Sequence, residues 1–266
     1  MIKINQPGLK SFVFYVFGFI FLTLFIYLGI PFFFDYKNNQ SDLEKKIFEN
    51  FDLNLSFASK AKYNIFPSPR LNLKNVEILG FSESSKNIGS VKKVILKIPF
   101  KRLVSLKKLD FDSIELIDAV INIKTSEINN FKNYLNNKAR EKPIQLTKSK
   151  INLLDKTKLL FNIDIKKLRI SGKSLFNKLD LKGRIFDTKI EINYQNKNFN
   201  KNSEKNVEIW LPEIGLNSKL SINPDKKNNE TIYGRVGVSF PSNQIYLDYI
   251  LTVSYTHLTL PTKRIV

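Results

Sequence analysis

The sequence predicts a mainly β (α+β) protein: an N-terminal transmembrane helix followed by a curled antiparallel β-sheet that forms a groove, with two or three short helices. Three observations carry this expectation. Residues 11–34 are uncharged throughout (SFVFYVFGFIFLTLFIYLGIPFFF). Beyond residue 52, apolar residues recur at every second position in many short runs. Only three later segments read as helix. A hydrophobic content of 42%, with 22 Phe and 10 Tyr, is too apolar for a disordered chain and suffices for one large domain or two small ones.

The uncharged run is bounded by Lys10 and Asp35. At about 1.5 Å per residue it reaches roughly 36 Å, more than the roughly 30 Å of a hydrocarbon layer. It is apolar on every face, so Phe12, Phe14, Phe17, Phe19, Phe21, Leu24, Phe25 and Leu28 are expected to meet lipid. A cleavable signal peptide would have a shorter apolar core followed by small residues, whereas this run continues into Pro31, three Phe and Asp35. The expectation is a retained single-pass anchor. Residues 1–10 carry Lys3, Lys10 and the amino terminus without an acid, while Asp35, Lys37, Asp42, Glu44, Lys45 and Lys46 balance on the far side. That asymmetry places residues 1–10 in the cytoplasm and the main domain outside it.

After the anchor, residues 35–140 read as a first β domain with helices. Ser41 and Glu44 form S-x-x-E ahead of Ile47, Phe48 and Phe51, the pattern of a capping box opening a helix that ends near Phe51. Alternation then takes over: Leu53 and Leu55; Val94, Leu96 and Ile98; Ala119, Ile121 and Ile123; Ile190, Ile192 and Tyr194; Val207, Ile209 and Leu211; Ile245, Leu247 and Tyr249. Such runs are half-buried strands with one wet face. Pro99–Leu106 reads as a short crossover helix, and Ser126–Arg140 as a helix with Ile128, Phe131 and Leu135 on one stripe. Residues 141–150 read as a linker and residues 151–252 as a continuation of the sheet, with polar loops at 195–205 and 224–230. Three units, LNLKNVEI (71–78), LDFDSIEL (109–116) and IDIKKLRI (163–170), share h-x-h-x-x-h-x-h. The two central polar residues break the alternation, so each unit is a bulged strand or a tight corner, which would curl the sheet.

Residues 253–262 (VSYTHLTLPT) contain no Asn, Phe, Ile or acid in a chain rich in the first three. This stretch resembles the translation of a sequencing adapter, so residues 253–266 are expected to be an artefact. The natural chain would then be cut off near Thr252, and His257 would not be a native residue.

The chemistry is narrow. With no Cys and one His, thiolate zinc sites, iron-sulfur clusters, disulfides, Cys nucleophiles and multi-histidine metal sites are excluded. No phosphate-binding glycine loop and no nucleophile elbow occurs. Asp110, Asp112, Glu115 and Asp118 form the densest carboxylate group, but Asp110 and Asp112 alternate with Leu109 and Phe111 as a solvated strand face does. No catalytic, cofactor-binding or metal residue is assigned, and no enzyme activity is expected. The 43 Lys+Arg exceed the 24 Asp+Glu by 43 − 24 = 19, yet only seven of the cations are Arg. Nucleic-acid readers favour the bidentate Arg fork, so no nucleic-acid partner is expected. Lys, Asn, Ile and Phe all have A/T-rich codons, and much of the charge reads as solvated surface, with a basic surface facing anionic lipid as the alternative.

The order of motifs resembles the N-terminal domain of the AsmA family. The anchor and short helix are followed by YNIFPSPRLNLKNVEILG (63–80), where Phe66, Pro67, Pro69, Leu71, Leu73, Val76 and Ile78 match a Pro-containing turn and an apolar strand. Then comes VKKVILKIPFKRLVSLKKLDFDSIELIDAVINI (91–123), where Leu103, Leu106, Leu109, Phe111, Ile114, Leu116, Ile121 and Ile123 match. The resemblance covers about residues 1–125. The lysine excess and the short chain depart from the family. It implies a bacterial inner-membrane protein with a periplasmic main domain, involved in outer-membrane assembly, lipid homeostasis and protein targeting to the membrane. The implied partners are membrane lipids, phospholipid or lipopolysaccharide, and envelope-assembly proteins. On this reading Leu71, Leu73, Val76, Ile78, Leu109, Phe111, Ile114, Leu116, Ile121 and Ile123 line an apolar groove for lipid binding or transfer. A periplasmic adaptor of the lipopolysaccharide-export type, with a closed and filled interior, is the alternative. A membrane-tethered hydrolase is a third class and would need a cleft of converging polar groups.

Overall fold

The computed structural model describes residues 9–80, 87–104, 109–130, 142–173, 176–199, 202–224, 231–239 and 243–252. The first helix, α1 (Leu9–Gly29), passes directly into a 3-10 turn at Ile30–Phe33. Pro31 sits in the first turn of that element, where its missing N–H costs nothing and its fixed φ is already helical. The second helix, α2 (Gln40–Phe51), buries Leu43, Ile47 and Phe51, four residues apart on one stripe. It starts one residue before Ser41, with Asn39 as N-cap and no side-chain cap, so the expected capping box does not form. The Glu44 carboxylate instead accepts from the Gln40 side-chain amide (3.1 Å) and the Phe57 N–H (3.2 Å), which ties the helix to the first strand.

The strands are β1 (Asn54–Phe57), β2 (Lys62–Asn64), β3 (Arg70–Gly80), β4 (Gly89–Lys97), β5 (Ser113–Lys124), β6 (Ile144–Asp155), β7 (Lys158–Lys173), β8 (Phe176–Ile185), β9 (Thr188–Phe199), β10 (Asn202–Leu211), β11 (Leu216–Pro224), β12 (Thr231–Ser239) and β13 (Gln244–Thr252). Among the described residues they form one open sheet, in the order β1-β3-β4-β5 and onward to β13, with β2 paired to β3. It is not purely antiparallel as expected: β5 and β6 run parallel, Ile114 beside Ile144 and Ile121 beside Ile151. A parallel neighbour demands a long crossover, and residues 125–143 supply it. There Thr125–Glu127 form a 3-10 turn and residues 128–130 are helical, while Phe131 and Leu135 of the expected helix lie outside the described residues.

Three other expectations need correcting. Residues 141–150 are not a linker: β6 begins at Ile144, and cross-strand pairing rather than local polarity decides its conformation. The polar stretch 195–205 is mostly strand, with Gln195 paired to Asn206 and Asn196 to Lys205, because a hairpin held on both sides needs no apolar residues at its tip. Pro99 caps only a 3-10 turn, Phe100–Arg102, and the link joins the antiparallel neighbours β4 and β5, so it is no crossover. Leu106 lies outside the described residues.

The h-x-x-h breaks align. Pairing is interrupted at Asn75, Lys92, Asp118, Lys148 and Lys166, which succeed one another across β3, β4, β5, β6 and β7. Asn75, Asp118 and Lys148 take left-handed φ values of 50°, 54° and 50°. Because each of these strands carries a break at the same level, the breaks themselves cause no register shift from β3 to β7, and the β6–β7 shift between Leu153 and Leu154 lies away from them. β8 alternates strictly, so the β7–β8 pairing shifts between Ile165 and Lys167. The 71–78 and 163–170 units are therefore bulged strands. The 109–116 unit is a corner leading into β5, whose own break comes later, at Asp118.

Candidate functional site

Register places the inward residues of successive strands in rows perpendicular to the chain. One row runs Leu73, Val94, Leu116, Leu146, Leu168, Leu181, Ile192, Ile209 and Ser218 to Val238 and Ile245. A second runs Leu71, Leu96, Ile114, Ile144, Ile170, Leu179, Tyr194, Val207, Leu220, Val236 and Leu247. One face is thus apolar across eleven strands, although the sequence shows only short separate runs.

Burial along these rows falls from one end to the other. On β3 to β6 the side chains are sealed in a single core with Leu43, Ile47 and Phe51 of α2 and with Leu103, Leu109 and Phe111. On β7 and β8 only Ile165, Leu168 and Leu181 are buried, and Ile163, Ile170 and Leu179 lean half-covered against the core. From β9 onward no inward apolar side chain described is buried, and on β13 Ile245 and Leu247 are 56% and 64% exposed. The five strands β9–β13, spaced about 4.8 Å apart, make an apolar strip roughly 19 Å across whose inward side chains go from half-buried on β9 to exposed on β13. Small residues are fitted to it by aromatic rings. Tyr249 lies over Gly234 and donates its hydroxyl to Ser221 O (3.3 Å), so a Cβ at position 234 would meet the ring.

The ten residues expected to line a groove are all in the covered part. Leu71, Leu73, Val76, Ile78, Phe111 and Ile114 are fully buried, and Leu109, Leu116, Ile121 and Ile123 nearly so. They are core side chains rather than an open lining, because α2 and Leu103 pack on that face. Beyond the core the same rows continue as Val207, Ile209, Leu220 and Val236, half-buried, and Leu247, exposed, while Ile192 still leans on the core. Their period-two spacing is the same signal as in the core strands, so only the presence of a cover tells the two sets apart. Of the expected anchor residues, Phe12, Phe14, Phe17, Phe19, Phe21, Leu24 and Phe25 are exposed, while Leu28 packs on the domain core. The helix is long and apolar enough to cross a membrane.

The opposite face is polar and laced with cross-strand ion pairs, among them Lys150–Asp164 (3.1 Å), Lys182–Glu191 (2.8 Å) and Lys219–Glu208 (3.2 Å). A hollow of about 880 Å³ lies here, along the line of interrupted pairing, lined by Lys92, Asp118, Lys148, Lys166, Lys182 and Arg184. The four carboxylates noted in the sequence do not converge. Asp110 pairs with Lys142 Nζ (2.5 Å), Asp118 lies 4.0 Å from Lys92, Glu115 accepts from Gln145 and Thr147, and Asp112 is exposed. Burial, the largest single influence on Asp110, pushes its carboxyl up. Hydrogen bonds from Lys142 and the Phe111 N–H, with the charges of Lys142 and Arg102, together hold it below the usual carboxylate value. Burial also raises the phenol of Tyr194, on the half-covered part of the apolar face.

Comparison with protein-family models and with curated proteins yields no match.

Proposed function

We propose that this chain is a single-pass, inner-membrane-anchored periplasmic protein of AsmA type, whose uncovered apolar face binds or passes lipid acyl chains. The observation that carries this reading is the continuation of the core's apolar rows onto β9–β13, where no inward apolar side chain described is buried. Acyl chains laid on such a face would leave water at a gain of about 0.8 kcal/mol per CH₂ group. A polar face on the far side keeps the sheet from burying both sides, which suits a surface that is wet on one side and lipid-filled on the other. Anchor length, the charge asymmetry around it and the motif order shared with AsmA domains support the membrane and the compartment.

Photocrosslinking in cells tests the reading. A photoreactive residue at Ile209, Leu220 or Leu247 should give lipid adducts, whereas one at Lys219, on the polar face, should not. Absence of adducts from all three inward positions would exclude the lipid face. Adducts from Leu73 or Ile121 would instead mean that the covered part opens, as a groove starting at β3 would require.

A further inference from the structure

The anchor and the β domain are joined without a spacer. From Phe12 to Ile26 every residue of α1 is exposed, and at Tyr27 the domain begins to cover the helix. The Tyr27 hydroxyl donates to Phe100 O (2.5 Å), the Tyr63 hydroxyl donates to Leu28 O (3.0 Å), and the rings of Phe32 and Tyr63 meet edge to face at 4.9 Å. The uncharged stretch of α1 from Ser11 to Ile26 covers about 24 Å, so the roughly 30 Å of a hydrocarbon layer reaches Tyr27 and a little beyond. The outer boundary of the hydrocarbon therefore falls near Tyr27, at the level where the domain is docked.

The domain's end at that level is formed by the turns 65–69 and 98–104, held side by side by Ile98 N–H donating to Pro69 O (2.9 Å). It exposes apolar side chains that have no reason to face water: Phe33 is 91% exposed, Phe66 83%, Val104 61% and Phe100 54%. Cations close to them in the chain or on the adjoining strand, Lys37, Lys60, Lys62, Lys101 and Arg102, are all exposed. Among the described residues, no ion pair engages Lys37, Lys60 or Lys62. These three, with Phe32, Tyr36 and Tyr63, line a recess of about 500 Å³. Asp35 also lines this recess, but its carboxylate is already engaged by the N–H groups of Lys37 and Asn38 and by the Asn38 side-chain amide. Exposed aromatics and lysines at this depth are the composition of a membrane interface.

We propose that this membrane-proximal end is a phospholipid-binding site of the surrounding bilayer. The phosphate of an anionic phospholipid sits between Lys37, Lys60 and Lys62, its acyl chains run beside Phe33, Phe66, Phe100 and Val104, and the domain is thereby seated on the bilayer in one pose. The proposal rests on α1 spanning the membrane and not on the lipid face of β9–β13.

The test uses the full chain in vesicles, in a Trp210→Phe background, with single indoles introduced by Phe66→Trp or Phe17→Trp. Vesicles are of phosphatidylcholine alone or with added phosphatidylglycerol, and carry lipids brominated just below the headgroup or deep in the acyl chain. The expected result is blue-shifted emission from the Phe66→Trp indole and its quenching by the shallow bromines, stronger with phosphatidylglycerol. The gain with phosphatidylglycerol should be lost in a Lys37→Gln, Lys60→Gln, Lys62→Gln variant. An unquenched Phe66→Trp indole beside a quenched Phe17→Trp indole would overturn the site, as would an unchanged phosphatidylglycerol gain in the triple variant. An unquenched Phe17→Trp indole would instead overturn the spanning helix on which the proposal stands.

Discussion

At the scale of single residues, the join between α2, β5 and β6 is electrostatic. Lys142 Nζ donates to Asn50 Oδ1 on the helix and to Asp110 before β5, so one cation holds three segments far apart in the chain. Because the Asp110 carboxyl lies below its ordinary value of 3.8 in the folded chain, its contribution to stability is present above that value and disappears as pH falls through the lower folded value. Asp110→Asn should therefore lower the thermal midpoint in detergent at neutral pH, and the gap from the parent should close on acidification below the folded value. A gap that persisted in strong acid would mean that Asp110 acts by packing rather than by charge. In the sequence, Asp110 stands out only as one of four nearby acids. Its partner lies 32 residues away and is invisible to any local pattern.

Among the elements, the aligned breaks in β3 to β7 set the sheet's shape. Asn75 is exposed and left-handed, a conformation that Gly and Asn tolerate and β-branched residues resist, at a cost of about 1–2 kcal/mol. Asn75→Gly should be close to neutral in chemical unfolding, and Asn75→Val should cost about 1–2 kcal/mol. Equal stability of the two variants would show that the strand can flatten its bulge without loss. The h-x-x-h pattern made these breaks legible beforehand in 71–78 and 163–170. In 109–116 the same pattern came from a corner, because two consecutive polar residues are written identically whether a chain bulges within a strand or turns before one.

For the whole molecule, the covered and uncovered ends of one sheet should differ in dynamics. Strands β4 and β5 are buried on one face and flanked by paired neighbours, whereas β13 is an edge strand with exposed residues on both faces. Local opening should be cheapest where least apolar surface is buried. Hydrogen exchange on the full chain in detergent should show protection falling steadily from β4–β5 to β12–β13, and adding phospholipid should raise it chiefly on β9–β13. Uniform protection along the sheet would argue that the apolar rows are covered throughout.

The sequence by itself determined the apolar helix at the amino end, the β character of the remainder, the identity of most inward-facing residues and the presence of bulges. Each is written within a few residues, as an uncharged run, a period of two, or a doublet that breaks it. Only the tertiary structure decided that β5 and β6 are parallel, that 144–150 belongs to a strand, and that Leu71, Phe111 and Ile121 are core while Ile209, Leu220 and Leu247 lie outside it. Alternation states which side of a strand is apolar. What lies against that side depends on α2 and on Leu103, Leu109 and Phe111, contacts between segments distant in the chain that no local period records.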